Sequence, residues 1–482
     1  MRATQHGRHQ KRSNCPMEAS RGGSRLCREL PVVDDVFGLR PKISAARCHA
    51  PAILSQCLAP RRSDFDVPFL SPRLQSSALA RMPLACGCIF RDDLMTGHSC
   101  GSGEAAMTDR DSRYEIITDE RALAGLQPDW DALWKRAAGR YYLSFVFCWT
   151  AWQQVAKPKG RTLRCIIRRD EGRLAMVWPL ALHHRLIWAS LVPLSPEAAD
   201  YSDILMEARA GTLPWIEGAW RIATGHCGAD FVHLPYLHES ADLYRIAGHD
   251  RSLVMRQRHI SYVAKLSMEC RRHDWTSFCD SLTALQQSKK PGSIARRLAK
   301  KGRLDAWLVD PSDKCAVASA IDLMLEWKRD WSDRVGKHGQ WITSVHYRNF
   351  LVEWLSSPFT TEAHLLVVAL DGAPLAALVF SIDNRCASTI ISGFNQAYRN
   401  LSPGLLAFEY VVQWAFDRQF DLDFGAGTEQ FKECWARGNL ASVWTLRTVS
   451  SPWGCLGVRA LHLQHEVMSH AKGTPQALRK TY

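Results

Sequence analysis

No stretch of this 482-residue chain is apolar enough for long enough to cross a bilayer as a helix. Its most apolar segment, Leu174 to Leu194, is interrupted at the centre by His183, His184 and Arg185, whose burial in lipid would cost several kcal/mol. Two core strands and a turn are expected there instead. No cysteine pair after residue 106 has zinc-ribbon spacing, and no secretory signal pattern precedes the cysteines. A disulfide framework is therefore not expected, and reduced thiols in a cytoplasmic protein are. Acidic residues are the scarcer charge, 48 against 61 Lys and Arg, and the net charge of +13 favours anionic partners. With 46% hydrophobic and 23% charged residues the chain is neither disordered nor fibrous as a whole.

What is present is unevenly distributed. Residues 1–106 hold 15 Lys and Arg against 9 Asp and Glu, and seven of the 16 cysteines, without a sustained helical or strand period. Cys86 and Cys88 form a CxC that lacks matching ligands elsewhere, so no metal is expected. This segment reads as a disordered or non-native leader, with the natural start expected at Met107. From there a short strand leads through Thr118 and Asp119, both good N-cap residues, into an amphipathic helix. A length prior of roughly 150 residues per domain allows two or three units.

Two similar passages follow. Leu163 to Leu182, LRCIIRRDEGRLAMVWPLAL, reads as strand, turn at Asp170 to Gly172, and strand. Leu365 to Ile382, LLVVALDGAPLAALVFSI, reads the same way around Asp371-Gly372. The spacing suggests a duplicated domain, although any two β-hairpins share this pattern. After the second hairpin come a turn at Asp383-Asn384, a strand Cys386 to Phe394, a loop, a helix from about Pro403 to Gln419 and a strand Leu422 to Phe424. In that helix Leu405, Phe408, Val412, Ala415 and Phe416 form the expected buried stripe, with Glu409, Gln413 and Asp417 on the opposite face. The succession is α/β.

The loop before that helix, NQAYRNLSPGLL (Asn395 to Leu406), carries the clearest chemistry. Ser402 suits an N-cap, Pro403 the first helical position, and Gly404 leaves the backbone amides unshielded. A helix start of this kind presents free N–H groups and the positive end of the dipole, as a pyrophosphate requires. Arg399 adds a charge, and Leu405 completes the candidate cofactor-binding set.

Arg399 to Gly404 resembles the R/Q-x-x-G-x-G/A pyrophosphate loop of GNAT acetyltransferases, with Ser402 in place of the first glycine. DLDFGAGTEQFKECW (Asp421 to Trp435) resembles the D-F-G-x-G-x-x-x-Y-K-x-x-W signature of the BioF2-like, or CelD-type, acetyltransferases, relatives of the FemABX transferases; Phe431 stands where that family has Tyr. The resemblance spans most of residues 113–455, its specific motifs 365–438. It implies tandem GNAT-like domains with mixed central sheets flanked by helices, an N-terminal one at 107–265 and a C-terminal one at 266–470, leaving 471–482 as a tail. It further implies acetyl-CoA or another acyl-CoA as donor, no metal, and a small or polymeric polar acceptor of sugar or amino-acid type, in polysaccharide or cell-envelope metabolism.

Acyl transfer needs an oriented donor, a base for the acceptor proton and hydrogen-bond donors for the developing oxyanion. Asp423, Glu429 and Lys432 are the candidate catalytic residues. Asp423 either serves the acceptor or caps the Gly425 to Gly427 turn. Glu429 is a second base or a solvated carboxylate, and Lys432 pairs with a phosphate or lies on a helix surface. Phe431 cannot protonate a leaving thiolate, and Tyr398 is a nearby substitute. Cys434 is expected to be a buried structural thiol.

The tract KKPGSIARRLAKKGRL (Lys289 to Leu304) gathers seven basic residues on a short helix that Ser293 could cap and Gly302 could end. It reads as a solvated face, a grip on a cofactor phosphate or polyanionic acceptor, or an RNA contact. Stacking aromatics are absent from it, so nucleic acid is not an expected partner, and tRNA enters only as the donor of a FemABX-like aminoacyl transferase. A catalytically degenerate GNAT-fold binding protein is the non-enzymatic alternative.

Overall fold

The structure is a computed structural model that describes residues 113–471 apart from 197–200, 208–210, 283–288, 337–338 and 361. The leader 1–106 with its CxC, the expected start at Met107 and tail residues 472–482 lie outside the described residues. Among the described residues, no helix is long and apolar enough to cross a membrane.

The two halves of the chain build related successions of elements, the first with additional short strands and one more helix. The first contains β1 (Tyr114–Ile117), helices Glu120–Gly125, Gln127–Arg136 and Phe145–Ala151, then β2 (Thr162–Leu163), β3 (Cys165–Asp170), β4 (Arg173–Trp178), β5 (Leu180–His184) and β6 (Ala189–Pro193). The short β7 (Leu205–Met206), helix Leu213–Gly225, β8 (Phe231–His238), helix Asp242–Ala247 and β9 (Leu253–Ala264) complete it. The second contains β10 (Leu304–Leu308), helices Lys314–Val335 and Val345–Leu355, β11 (Ala363–Leu370), β12 (Ala373–Asp383), β13 (Cys386–Phe394), helix Pro403–Asp417, β14 (Asp421–Ala426), helix Gln430–Ala436 and β15 (Leu440–Val449).

Local chemistry fixes these elements. Asp119 caps the first helix by accepting from the Ala122 amide at 2.8 Å. Glu171 and Gly172 have φ of 50° and 80°, and Asp371 and Gly372 of 50° and 81°, so both hairpins close on two residues with positive φ, the turn that matches strand twist. The apolar segment Leu174 to Leu194 makes three strands, not two. Pro179, which has no N–H to give a ladder, divides β4 from β5, and its carbonyl accepts from Leu194 at 2.9 Å.

A four-stranded sheet has the order β1-β3-β4-β7, and an eleven-stranded mixed sheet the order β10-β11-β12-β13-β14-β9-β15-β8-β6-β5-β2. The large sheet records an exchange: β9, the last strand of the first half, pairs with β14 of the second, while β15 pairs with β8 of the first. The halves also share a core. Phe147 lies 5.2 Å, ring to ring, from both Phe350 and Trp354, all three buried, and each such side chain withdrawn from water contributes roughly 2–3 kcal/mol.

In each half one parallel strand pair comes apart. β13 and β14 pair only from Cys386↔Asp421 to Ser388↔Asp423. β6 and β8 pair only at Ser190↔Phe231 and Leu191↔Val232. Beyond those points the strands diverge, and a cavity opens at each divergence.

Candidate functional site

The larger cavity, about 690 Å³, lies between Thr389–Phe394 of β13 and Phe424–Ala426 of β14. The helix Pro403–Asp417 starts at its edge. Arg399, Ser402, Gly404 and Leu405 line it from the loop and first turn, and Glu429, Phe431 and Lys432 from the segment after β14. Two stretches of sequence read separately thus face one space. Pro403 is buried behind them and does not line it.

The helix start differs from the expected cap. Ser402 occupies the N-cap position with left-handed φ and ψ of 57° and 48°, and its side chain makes no capping hydrogen bond. Leu405 and Leu406 both donate to the Ser402 carbonyl, at 3.1 and 3.4 Å, and Pro403 has no N–H. Gly404 is therefore the first-turn residue whose amide is left for an anion. A Cβ on Gly404 would fall 2.8 Å from the Phe394 ring, so only glycine lets the helix start approach β13 this closely.

Leu405 and Phe408, expected in the buried stripe, are half-buried and face the cavity. Glu409, expected on the solvent face, is 8% exposed. It accepts from the Gly292 amide, and burial pushes its pKa up to about 7 against that bond and Arg296. The reason is tertiary: the basic helix Ser293–Ala299 packs on this face. Gly292, not Ser293, occupies its N-cap, while the Ser293 hydroxyl donates to the Lys290 carbonyl. The helix ends at Ala299, before Gly302.

Glu429 and Lys432 form an ion pair of 3.0 Å at the cavity. Lys432 is buried, 8% exposed, and also donates to the Ala426 carbonyl at 3.2 Å. Gly427, with φ of 144°, lies against the pair, since a Cβ there would meet the Glu429 carboxylate and come within 2.8 Å of Lys432 Nζ. The Phe431 ring is 4.7 Å from that of Phe408. Tyr398 does not line the cavity. Cys434 is buried, and burial raises its thiol pKa.

Asp423 stands one layer behind. Its Oδ1 accepts from the Gly425 amide at 2.8 Å, from the Ser261 hydroxyl at 2.9 Å and from the Tyr201 hydroxyl at 3.0 Å. Tyr201 itself lines the cavity, and its pKa is driven well above the usual phenol range by burial and then by the Asp423 charge. On the other side Arg140 reaches within 3.7 Å of Asp423 Oδ2 and 2.9 Å of Asp383 Oδ1. The second approach is a charge contact without hydrogen-bond alignment. The other Asp383 oxygen accepts from the Tyr141 amide at 2.8 Å. Burial works against the Arg140 charge, but Asp383 above all, then Tyr142, Cys386 and Asp423, hold its pKa well above normal.

The first half contributes Tyr141, Tyr201 and Tyr236 to the cavity wall and Arg140 behind it, none of them marked by a motif in the sequence. Only Tyr201 carried a trace, as a polar aromatic close after an apolar strand.

Residues 291–433 match the family model described as an acetyltransferase (GNAT) domain, so the chain carries a GNAT domain and the acyltransferase-type fold that goes with it. No curated protein sequence matches the chain. Among solved structures, FemX is similar at 11% identity over 70% of this chain and 97% of that one, with a TM-score of 0.44. The C-terminal domain of a putative lysylphosphatidylglycerol synthetase from Agrobacterium fabrum is similar at 11% identity over 71% and 95%, TM-score 0.44. A tandem GNAT protein from the clavulanic acid biosynthesis pathway is similar at 13% identity over 70% and 98%, TM-score 0.38.

Proposed function

We propose that this protein is an acyl-CoA-dependent acyltransferase that acylates an amine or hydroxyl of a polar, sugar- or amino-acid-like acceptor, in the manner of the BioF2-like acetyltransferases that its motifs resemble. The observation that carries the reading is the convergence, at the divergence of β13 and β14, of the Gly404 amide, Arg399 and the Glu429–Lys432 pair on one cavity. The residues fit a coenzyme A donor. Gly404 leaves the room beside Phe394 that any side chain would fill, Arg399 supplies a cation at the helix start, and the basic helix Ser293–Ala299 lies next to the turn Gln396–Leu401. When bound, the donor supplies an acyl thioester.

The chain's own groups then divide the work. Glu429, on the cavity wall and 47% exposed at its side chain, is placed to take the acceptor proton. Lys432, paired with it, keeps Glu429 oriented and balances negative charge developing in the cavity. Asp423, its Oδ1 committed to three donors, acts as a positioning residue that fixes Tyr201 and the Gly425 turn. Phe431 and Phe408 give that end of the cavity an apolar wall that excludes water. An acyl-CoA donor and nine free thiols among the described residues suit a cytoplasmic enzyme.

Calorimetry of acetyl-CoA binding to the wild type and Arg399→Ala tests the reading. Binding by the wild type, weakened about tenfold in the variant with an unchanged melting temperature, is expected, since one exposed charge-assisted contact contributes about 1.4 kcal/mol. Equal affinity in the two proteins would remove Arg399 from the site. No acetyl-CoA binding together with protection of Lys289 to Arg303 by tRNA would favour an aminoacyl-tRNA donor.

A further inference from the structure

The smaller cavity, about 560 Å³, lies where β6 and β8 diverge, the position in the first half that corresponds to the donor cavity in the second. It has a different lining. The helix Leu213–Gly225, which occupies the place of Pro403–Asp417, contributes no residue to it, so no helix start faces the space. Three arginines line it instead: Arg161, 8% exposed, Arg447, half-buried, and Arg185 at the exposed rim. Among the described residues, no Asp or Glu lines this cavity. The neighbouring carboxylate, Asp230, is engaged with the Ala189 amide at 2.7 Å and the Ser451 hydroxyl.

From this geometry we infer that the second cavity binds the anionic end, a phosphate or carboxylate, of the acceptor whose nucleophile is acylated in the first. Guanidinium groups present planar pairs of donors that match either oxyanion. The charge state of the cavity agrees. Burial, then Arg185, brings Arg161 down to about 10, and burial, then Arg161 and Arg185, brings His183 down to about 4. Burial alone lowers Arg447. Arg447 Nε donates to His233 Nδ1 at 3.3 Å, which requires that nitrogen to be unprotonated. Both histidines are thus neutral at pH 7, which leaves the arginine side chains as the cationic donors that line the space.

The two cavities adjoin. Tyr236 and Trp341 line both. Tyr236 has φ of 46°, strained for an aromatic residue. The β8 ladder with β15 shifts register there, pairing Leu237 with Trp444 and Leu234 with Leu446. This bulge sets the Tyr236 side chain at the junction, where one acceptor can have its charged end among the arginines and its nucleophile near Glu429.

The inference rests on the acyltransferase reading for the word acceptor, and its test separates the two. Inorganic phosphate, and in a second series glutarate, is titrated calorimetrically into the full chain saturated with coenzyme A, which occupies the donor loop. Binding of either anion is expected. It should weaken at least tenfold in Arg447→Met and in the rim variant Arg185→Gln, whose fold is not at risk, while coenzyme A affinity stays within twofold. The series that binds more tightly identifies phosphate or carboxylate. Absence of binding by both anions, or equal binding by wild type and both variants, overturns the proposal. If coenzyme A itself does not bind, the donor reading falls, and anion binding sensitive to Arg447 and Arg185 still establishes the second site.

Discussion

Tyr201 and Asp423 stand 222 residues apart in the sequence, yet the Tyr201 hydroxyl donates to Asp423 Oδ1 at 3.0 Å while the same tyrosine lines the larger cavity. The pair joins the wall provided by the first half to β14 of the second. Asp423→Asn should lower turnover more than donor affinity, because the replacement keeps a carbonyl for the Gly425 amide but disturbs the Ser261 and Tyr201 bonds. The loss of stability should be about 1–3 kcal/mol. Tyr201→Phe, which leaves one fewer donor on the carboxylate, should cost about 1 kcal/mol. Thermal melts and steady-state kinetics on both variants decide this, and undiminished turnover in both would deny the pair a positioning role.

Arg140 balances two buried carboxylates. Arg140→Met would leave Asp383 and Asp423 without that cation, and a loss of about 3–5 kcal/mol is expected in urea denaturation. The pH dependence has a definite sign. Burial already raises the Asp383 pKa against Arg140, so the folded state holds this proton more tightly than the unfolded chain does. Removing Arg140 strengthens that preference. The deficit of the variant should therefore be greatest at neutral pH and shrink as the pH falls. A deficit independent of pH would mean that packing, not charge, is what Arg140 provides.

Glu409 offers the same logic with a value attached. Burial raises its carboxyl from 4.5 to about 7 in the folded state. The stability linked to its proton is fully present below 4.5 and is lost as the pH rises toward 7. Glu409→Gln retains an oxygen for the Gly292 amide without the charge, so it should be more stable than wild type by about 3 kcal/mol at pH 8 and nearly equal to it at pH 4. Parallel stability curves for the two proteins would contradict the assignment.

Gly404→Ala probes the helix start. The new Cβ would lie 2.8 Å from Phe394, and the first turn would have to move away from β13. Acetyl-CoA affinity should fall about tenfold, or about 1.4 kcal/mol, with a small change in melting temperature. Binding measured at equal stability distinguishes this from general unfolding, and unchanged affinity would place the pyrophosphate elsewhere.

Much of the second half was legible from periodicity and turn chemistry. β13, the helix from Pro403 and β14 lie where the apolar spacing puts them, and the Asp371-Gly372 turn has the positive φ values that its residues suggest. Glu409 and Phe408 were misplaced. A helix at this depth is covered on more than one side, so polarity alone does not identify its solvent face. Ser402 was misread because a left-handed N-cap takes its hydroxyl away from the amides that a capping serine would serve.

By itself the sequence determined the local units: two hairpins closed by acidic-glycine turns, the capped helices, and the loop whose Gly404 leaves a helix start open. Each follows from steric and hydrogen-bonding preferences that act over a few residues. Tertiary structure alone decided that β9 and β15 change places between the halves, that Arg140 stands between Asp383 and Asp423, and that three arginines meet beside the divergence of β6 and β8. Strand pairing and buried charge are settled by partners hundreds of residues away, through backbone hydrogen bonds that carry no side-chain label and through desolvation that exists only once the core has closed.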